Sequence, residues 1–424
     1  MISTFLRVAG AVGALAVASG CRLGKRAVLR GHHVRRLVAL GVAVAASAVP
    51  IGAFADTAPG SPVESNYERV VGPVQRDCGF SQQLPGRPGQ SIWLFCDTLN
   101  PNVDRPKGLF LPGSTAAEGP FTRGRAPTDL SEVPTPPAAI GHLPSKRAPE
   151  HFLPAPMHVV LPDGKACSVP GKFFSATWIT GVAREPAALD GSKLLISFVD
   201  VCVGGGGIKT EHFGLAEYRP ATNARPSMTR VFNERLPFHG LLPQLALGSP
   251  IFSKGKLYLF AFRCTTGSGG QCTAGGAVFL ARTDARPSSW QHAGSYQFFD
   301  PRSPGGWTSN PAKAAPLIAG AAPLGISVDD YASVGHGLAL IEQTTLGGGF
   351  RIWTAASPVG PWRSTSGKVP CNGGHDFDLC RALIGHPELS SRTELRFSYF
   401  NPAPSARHAL SPTLDHVLLT STPW

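Results

Sequence analysis

Two acids and two cysteines sit at mirrored positions in one short stretch of this chain. Arg76-Asp77-Cys78-Gly79-Phe80-Ser81 is followed by Leu84-Pro85-Gly86-Arg87-Pro88-Gly89 and then by Ser91-Ile92-Trp93-Leu94-Phe95-Cys96-Asp97-Thr98. The middle segment carries Gly and Pro turn signals and Ile92 to Phe95 is the apolar run of a buried strand, so the stretch reads as a β-hairpin. A turn centred on Arg87 sets Asp77 opposite Asp97 and Cys78 opposite Cys96. Because side chains alternate faces along a strand, that register predicts both carboxylates on one face and both sulfurs on the other. Directly opposed Cβ atoms lie about 4.5–5.5 Å apart, within reach of a cross-strand disulfide and of coupling between carboxylates. Two carboxylates that close ionise unequally and leave an acid beside a base, the pairing that glycoside hydrolysis uses. The plainer reading makes Asp77 and Asp97 turn or cap residues at the open end of a hairpin, and a bulge would break the register.

Further polar residues stand where strands end. Asp200 closes Ser197-Phe198-Val199-Asp200 as Asp97 closes its own strand, and is a spare carboxylate or a solvated strand end. Ser327, in Gly325-Ile326-Ser327-Val328-Asp329-Asp330, could position a substrate hydroxyl or belong to an ordinary inner strand. In His386-Pro387-Glu388-Leu389-Ser390 the proline fixes the local chain direction, so an imidazole and a carboxylate could face one cavity or pair as structural partners. No G-x-S-x-G elbow supports a serine hydrolase, and Gly204 to Gly207 lack the GK[ST] of a phosphate-binding loop.

The elements that must position these residues follow a repeated theme. An apolar strand recurs five times, as Ile92–Phe95, Leu194–Phe198, Leu257–Phe262, Leu338–Ile341 and Leu395–Tyr399. A companion strand is visible in Phe213–Tyr218, Val278–Thr283, Phe350–Ala355 and His416–Thr420, and several of these run into Trp290, Trp362 or Trp424. Few amphipathic helices stand out among 49 Gly and 40 Pro in 424 residues. Repeated small antiparallel sheets predict an all-β fold, a five-bladed β-propeller with a central funnel, against the alternative of a β-sandwich. The Pro- and Ala-rich stretch from Ala126 to Pro156 reads as a long surface loop.

Residues 1–55 read as an export signal: Arg35-Arg36 precede the apolar run Leu37–Val49, and Ala53-Phe54-Ala55 fits a small-x-small cleavage site ahead of Asp56. An earlier apolar run ending in Ala18-Ser19-Gly20-Cys21 offers lipoprotein anchoring through Cys21 as a lesser alternative, and translation starting near Val34 is the preferred account of the doubled signal. Residues 56–69 would be a short linker and 70–424 the propeller. The signal holds seven Lys/Arg and no Asp/Glu, so +12 less seven leaves the rest at +5. No basic run with interleaved aromatics marks a nucleic-acid surface, and no apolar stretch after the signal reaches membrane-spanning length. Eight cysteines beyond Cys21 suit disulfides in an exported protein, with near neighbours paired as Cys78–Cys96, Cys167–Cys202, Cys264–Cys272 and Cys371–Cys380. Without CxxC or HxxxH spacing, no metal site is expected, nor any cofactor.

The combination of Arg76-Asp77-Cys78-Gly79, Trp93-Leu94-Phe95-Cys96-Asp97-Thr98, the Ser327-Val328 strand and His386-Pro387-Glu388-Leu389-Ser390 resembles an actinobacterial and mycobacterial family of five-bladed propellers, formerly a domain of unknown function, associated with endo-D-arabinanase activity. The resemblance runs from about Val70 to Trp424. It implies that Asp77 and Asp97 are catalytic carboxylates and that His386 and Glu388 line the funnel. Cys78 and Cys96 stand where that family usually has glycines, paired changes consistent with an added staple. Together, the signal and the resemblance predict a secreted or cell-wall-associated protein, expected to be a monomer, acting on cell-wall polysaccharide, arabinan first, or a propeller that has kept the fold and only binds glycan or protein.

Overall fold

The computed structural model describes residues 68–69, 75–100, 109–127, 129–133, 150–154, 173–204, 207–220, 227–232, 245–263, 276–321, 323–371, 380–401 and 417–424. The export segment, Cys21, Cys167, Cys264 and Cys272 lie outside the described residues.

Five antiparallel sheets form a ring, the five-bladed β-propeller expected from the repeats. The innermost strands are Gln75–Gln83, Phe173–Arg184, Leu245–Ser253, Gly325–Asp330 and Arg381–Gly385, and they pack against one another in that order, the fifth returning to the first. Each of the five apolar runs read from the sequence is the second strand of a blade, and each companion run is the third.

Those second strands are largely apolar because both of their faces are covered. Ile92 and Leu94 pack with Ile179, Val182 and Ile196 of blade two, while Trp93 and Phe95 pack with Leu389, Val417 and Leu419 of blade five. In blade four Leu338 and Leu340 join Phe260 and Leu280 of blade three, while Ala339 and Ile341 join Leu395 and Phe397 of blade five. Period-two alternation thus sends successive side chains into two different inter-blade cores. Each fully buried side chain of this size contributes roughly 1.5–3 kcal/mol relative to exposure, so the ring is held at its interfaces.

Blade five is completed by a strand that precedes blade one in sequence. The outermost strand there is Glu68–Arg69, paired antiparallel with the C-terminal strand Val417–Pro423 through Glu68↔Leu419 and Arg69↔Leu418. Two residues that the sequence placed in a linker therefore form part of a blade.

The stretch from Ala126 to Pro156 is not wholly a surface loop. Ser131–Glu132 forms an edge strand of blade one, and Phe152 and Leu153 are buried in the core between blades one and two. Their backbone N–H groups donate to Ser114 O and Ser114 Oγ at 2.8 and 3.0 Å. The apolar pair sits in a Pro-rich segment too irregular to show strand periodicity, which is why sequence hid it.

Candidate active site

The opening hairpin forms, and its register is symmetric about Arg87 on both sides of one defect. Gln83↔Ser91 through Phe80↔Leu94, and then Arg76↔Thr98 and Gln75↔Leu99, obey the expected pairing, but between them Cys78 pairs with Phe95. The expected direct opposition of Asp77 with Asp97 and Cys78 with Cys96 is therefore broken by a bulge. Its cause is backbone conformation: Cys78 has φ 67° and Gly79 has φ 129°, left-handed values that turn the strand out of the ladder. The Cys78–Cys96 disulfide nonetheless forms across the bulge, with Cα atoms 5.4 Å apart. Cys371–Cys380 also forms, and Cys202 is disulfide-bonded.

The bulge changes where the two carboxylates point. Asp77 Oδ1 accepts from Cys78 N–H at 2.7 Å, and its Oδ2 accepts from Arg381 Nε and Nη2 at 3.0 and 2.8 Å. Arg381 comes from the start of the blade-five inner strand and lies over the Phe400 ring, 4.0 Å from its centroid. Asp97 turns instead toward blade two, where its Oδ1 accepts from Trp178 Nε1 at 2.9 Å and from Gly113 N–H at 2.8 Å. Gly113 has φ 100° and abuts the Thr177 backbone, so a side chain there would be strained and crowded.

Splayed as they are, the two acids remain electrically coupled. Burial, and then the negative charge of Asp77, push the Asp97 pKa up to about 6, against the lowering effects of its two hydrogen bonds and Arg381. Both bonds converge on Oδ1, which leaves Oδ2 open among the described residues. An acid of near-neutral pKa with one oxygen open is suited to donate a proton, and the anion beside it to stabilise positive charge or engage water.

The remaining sequence candidates fall into two places. Asp200 lies at the same end of the fold as the acid pair but is fully buried, accepting from Thr177 Oγ1 at 2.5 Å, one residue before Trp178. His386 and Glu388 follow the carboxyl-terminal end of the blade-five inner strand, and Ser327 lies mid-strand in blade four. Ser81 Oγ, on the opening strand, is 2.7 Å from His386 Nδ1 and donates to Glu388 Oε1. His386 packs on Trp93 with ring centroids 4.8 Å apart, and burial lowers its pKa to about 3. Burial raises Glu388 to about 7. The Ser327 hydroxyl donates to Asp329 Oδ2 at 2.9 Å and accepts from Gly385 N–H at 3.1 Å, and is 1% exposed. Among the described residues no group of three or more His, Cys, Asp or Glu is arranged to hold a metal ion.

Arg381 and Trp178 are the residues that sequence reasoning missed. Arg381 is 304 residues from Asp77 and Trp178 is 81 from Asp97, so no local spacing ties either to its acid. A weak signal existed for Arg381, which follows directly on the paired Cys380.

No family model matches the sequence, and no curated protein matches it. Solved structures do share the fold. A candidate hydrolase from Bacteroides ovatus ATCC 8483 superposes with TM-score 0.52 at 14% identity, over 82% of this chain and 85% of that one. A GH43_1 enzyme from Xanthomonas citri gives TM-score 0.42 at 11% identity, over 85% and 90% of the chains. Bacillus subtilis levansucrase gives 0.42 at 10%, over 84% and 88%. At 14% identity the likeness to the Bacteroides ovatus structure is one of fold alone.

Proposed function

We propose that this chain is an exported glycoside hydrolase-like propeller acting on cell-wall polysaccharide, with D-arabinan and arabinogalactan the first substrates. The observation that carries the reading is the Asp97 carboxyl, raised to about 6 by burial and by the Asp77 charge, where strands of blades one, two and five meet. Export is supported by the signal-like residues 1–55 and by the disulfides.

In this reading Asp97 Oδ2 gives its proton to the glycosidic oxygen as the bond from that oxygen to the anomeric carbon breaks. Positive charge grows on the sugar ring, and the Asp77 carboxylate stabilises it. Asp77 Oδ2 already accepts two guanidinium N–H groups, whereas Oδ1 accepts only the Cys78 N–H and keeps a lone pair for the proton of the attacking water. Water oxygen joins the anomeric carbon, its proton goes to Asp77, and proton return to Asp97 resets the pair.

The test is reducing-end release from purified arabinan and arabinogalactan by the wild type, Asp77→Asn and Asp97→Asn. The expected result is release by the wild type and loss of about 10²-fold or more in each variant. Equal release by all three removes the acid pair from catalysis. Binding of the glycan with no release by any of them assigns the chain to glycan recognition, a reading that the Arg381 ion pair on Asp77 also accommodates.

A further inference from the structure

The charge of +5 on residues 56–424 belongs to one blade. Residues 245–324 hold seven Lys/Arg and two Asp, while the rest of 56–424 holds 25 Lys/Arg against 25 Asp/Glu. Blade three lies within 245–324 and is the largest sheet among the described residues, with six strands against four or five elsewhere.

Backbone contacts gather the cations of this blade into two groups. Lys254 and Lys256 flank the turn at Gly255, whose carbonyl accepts from Ala285 N–H at 3.1 Å, so Asp284 and Arg286 stand beside them. Lys256 pairs with Asp284. That leaves Lys254 and Arg286, both exposed, without a carboxylate partner among the described residues. The second group surrounds Trp307. Arg282 Cζ lies 3.9 Å from the centroid of one of its rings, and two bonds from Nε and Nη2 to Gln297 Oε1, at 3.1 and 3.0 Å, hold the guanidinium there. Arg302 occupies Asp300, and its Nη2 donates to Lys313 O at 3.3 Å, which brings the exposed Lys313 alongside.

The two groups form one band. Arg282 and Asp284 are two residues apart on one strand and therefore share a face. The band crosses four neighbouring strands, Lys256–Arg263, Ala277–Asp284, Gln297–Phe299 and Trp307–Thr308. At about 4.7–4.9 Å between strands it is about 14 Å wide, more than one carboxylate or phosphate can bridge. A chain with repeated anionic groups can. Exposed Gln297, Ser309 and Asn310 lie among the cations and offer amide and hydroxyl groups that donate and accept.

The same surface fits other polyanions poorly. Single-stranded nucleic acid is held by rings on which bases stack, whereas Tyr258, Phe299 and Trp307 pack against one another and under Arg282. A membrane surface takes inserted apolar side chains, and the one exposed large hydrophobic residue among those described is Val359, in blade four. A polymer with anions and hydroxyls in alternation matches both the charges and the polar groups between them.

We infer that the outer part of blade three is an interaction surface for an anionic polysaccharide, whose carboxylates or phosphates pair with Lys254, Arg282, Arg286 and Lys313. The surface is distinct from the acid pair and stands whether or not that pair is catalytic.

The experiment measures binding of the protein to immobilised polygalacturonate and phosphorylated dextran, with neutral dextran, single-stranded DNA and phosphatidylglycerol vesicles as comparisons. It uses the wild type, Lys254→Ala/Arg286→Ala/Lys313→Ala and a control, Arg184→Ala/Lys368→Ala/Arg392→Ala. All six side chains are exposed, so both triple variants leave the core intact, and both lower the net charge by three. The expected result is binding of at least one anionic polysaccharide in preference to the three comparisons, weakening as salt screens it. Binding by the blade-three variant should fall about tenfold, the scale of three exposed ion pairs, while the control stays near the wild type. Polygalacturonate alone, or phosphorylated dextran alone, supports the inference and names the anion. Equal weakening in the two variants reduces the effect to net charge and overturns the inference. So does tighter binding of DNA, vesicles or neutral dextran, or binding of neither anionic polysaccharide.

Discussion

Burial of the Asp97 carboxyl makes stability depend on pH. Its folded pKa of about 6 lies above the ordinary 3.8, so the folded state takes up a proton that the unfolded chain does not between those values. Stability from this group is therefore full at low pH and is lost as pH rises through the window. A rise from 3.8 to about 6 corresponds to roughly 2–3 kcal/mol. Asp97→Asn keeps Oδ1 for Gly113 and Trp178 while removing the charge, so it is expected to raise the urea midpoint at pH 7.5 and leave it unchanged near pH 4. Glu388 shifts stability in the same direction and His386 in the opposite one, from 6.5 down to about 3, but both are common to the two proteins and cancel in the comparison. Under the proposed function this carboxyl is the proton donor, and activity should then fall as pH rises through about 6. Arg381 lowers the Asp97 pKa, so Arg381→Met should move that alkaline limb upward while cutting turnover by about tenfold, read from pH–rate profiles of the two proteins. The two acids themselves were legible from type and spacing, but Arg381 and Trp178, which hydrogen-bond to them, arrive from other blades.

At the scale of the hairpin, the turn signals and the symmetry about Arg87 were enough to give the register on both flanks. The bulge was not legible, because it depends on Cys78 adopting φ 67°, a conformation that side chains with a Cβ disfavour by roughly 1–2 kcal/mol. The Cys78–Cys96 disulfide closes an 18-residue separation and on chain-entropy grounds contributes about 3 kcal/mol, somewhat more than Cys371–Cys380 with its separation of 9. Replacing the pair as Cys78→Ala/Cys96→Ala should lower stability by roughly 2–4 kcal/mol. Cys78→Gly/Cys96→Ala should lose about 1 kcal/mol less, because glycine relieves the left-handed residue. Denaturation of both variants side by side checks this, and equal losses would mean that the backbone at residue 78 is not strained.

For the whole molecule, what sequence could reveal was set by burial. The second strands showed themselves because their two faces enter two cores, whereas the inner strands Phe173–Arg184 and Leu245–Ser253 did not. Those carry Gly, Ser, Thr and Pro, and each is broken by a register shift, between Ile179 and Gly181 and between Leu247 and Pro250, so neither alternation nor length survives in the pattern. The closing strand Glu68–Arg69 is shorter still and was invisible for the same reason. Its consequence is large in proportion to its length. Without it, Leu418 and Leu419 on the C-terminal strand lose their backbone partners, and blade five ends in an open edge of the kind that invites association. A chain beginning at residue 60 should therefore remain monodisperse by size-exclusion chromatography, while one beginning at residue 71 should melt several degrees lower and form higher-order species. If the shorter chain melts and elutes like the longer, the ring is held by its five inter-blade cores alone and the pairing of Glu68–Arg69 with the last strand adds nothing.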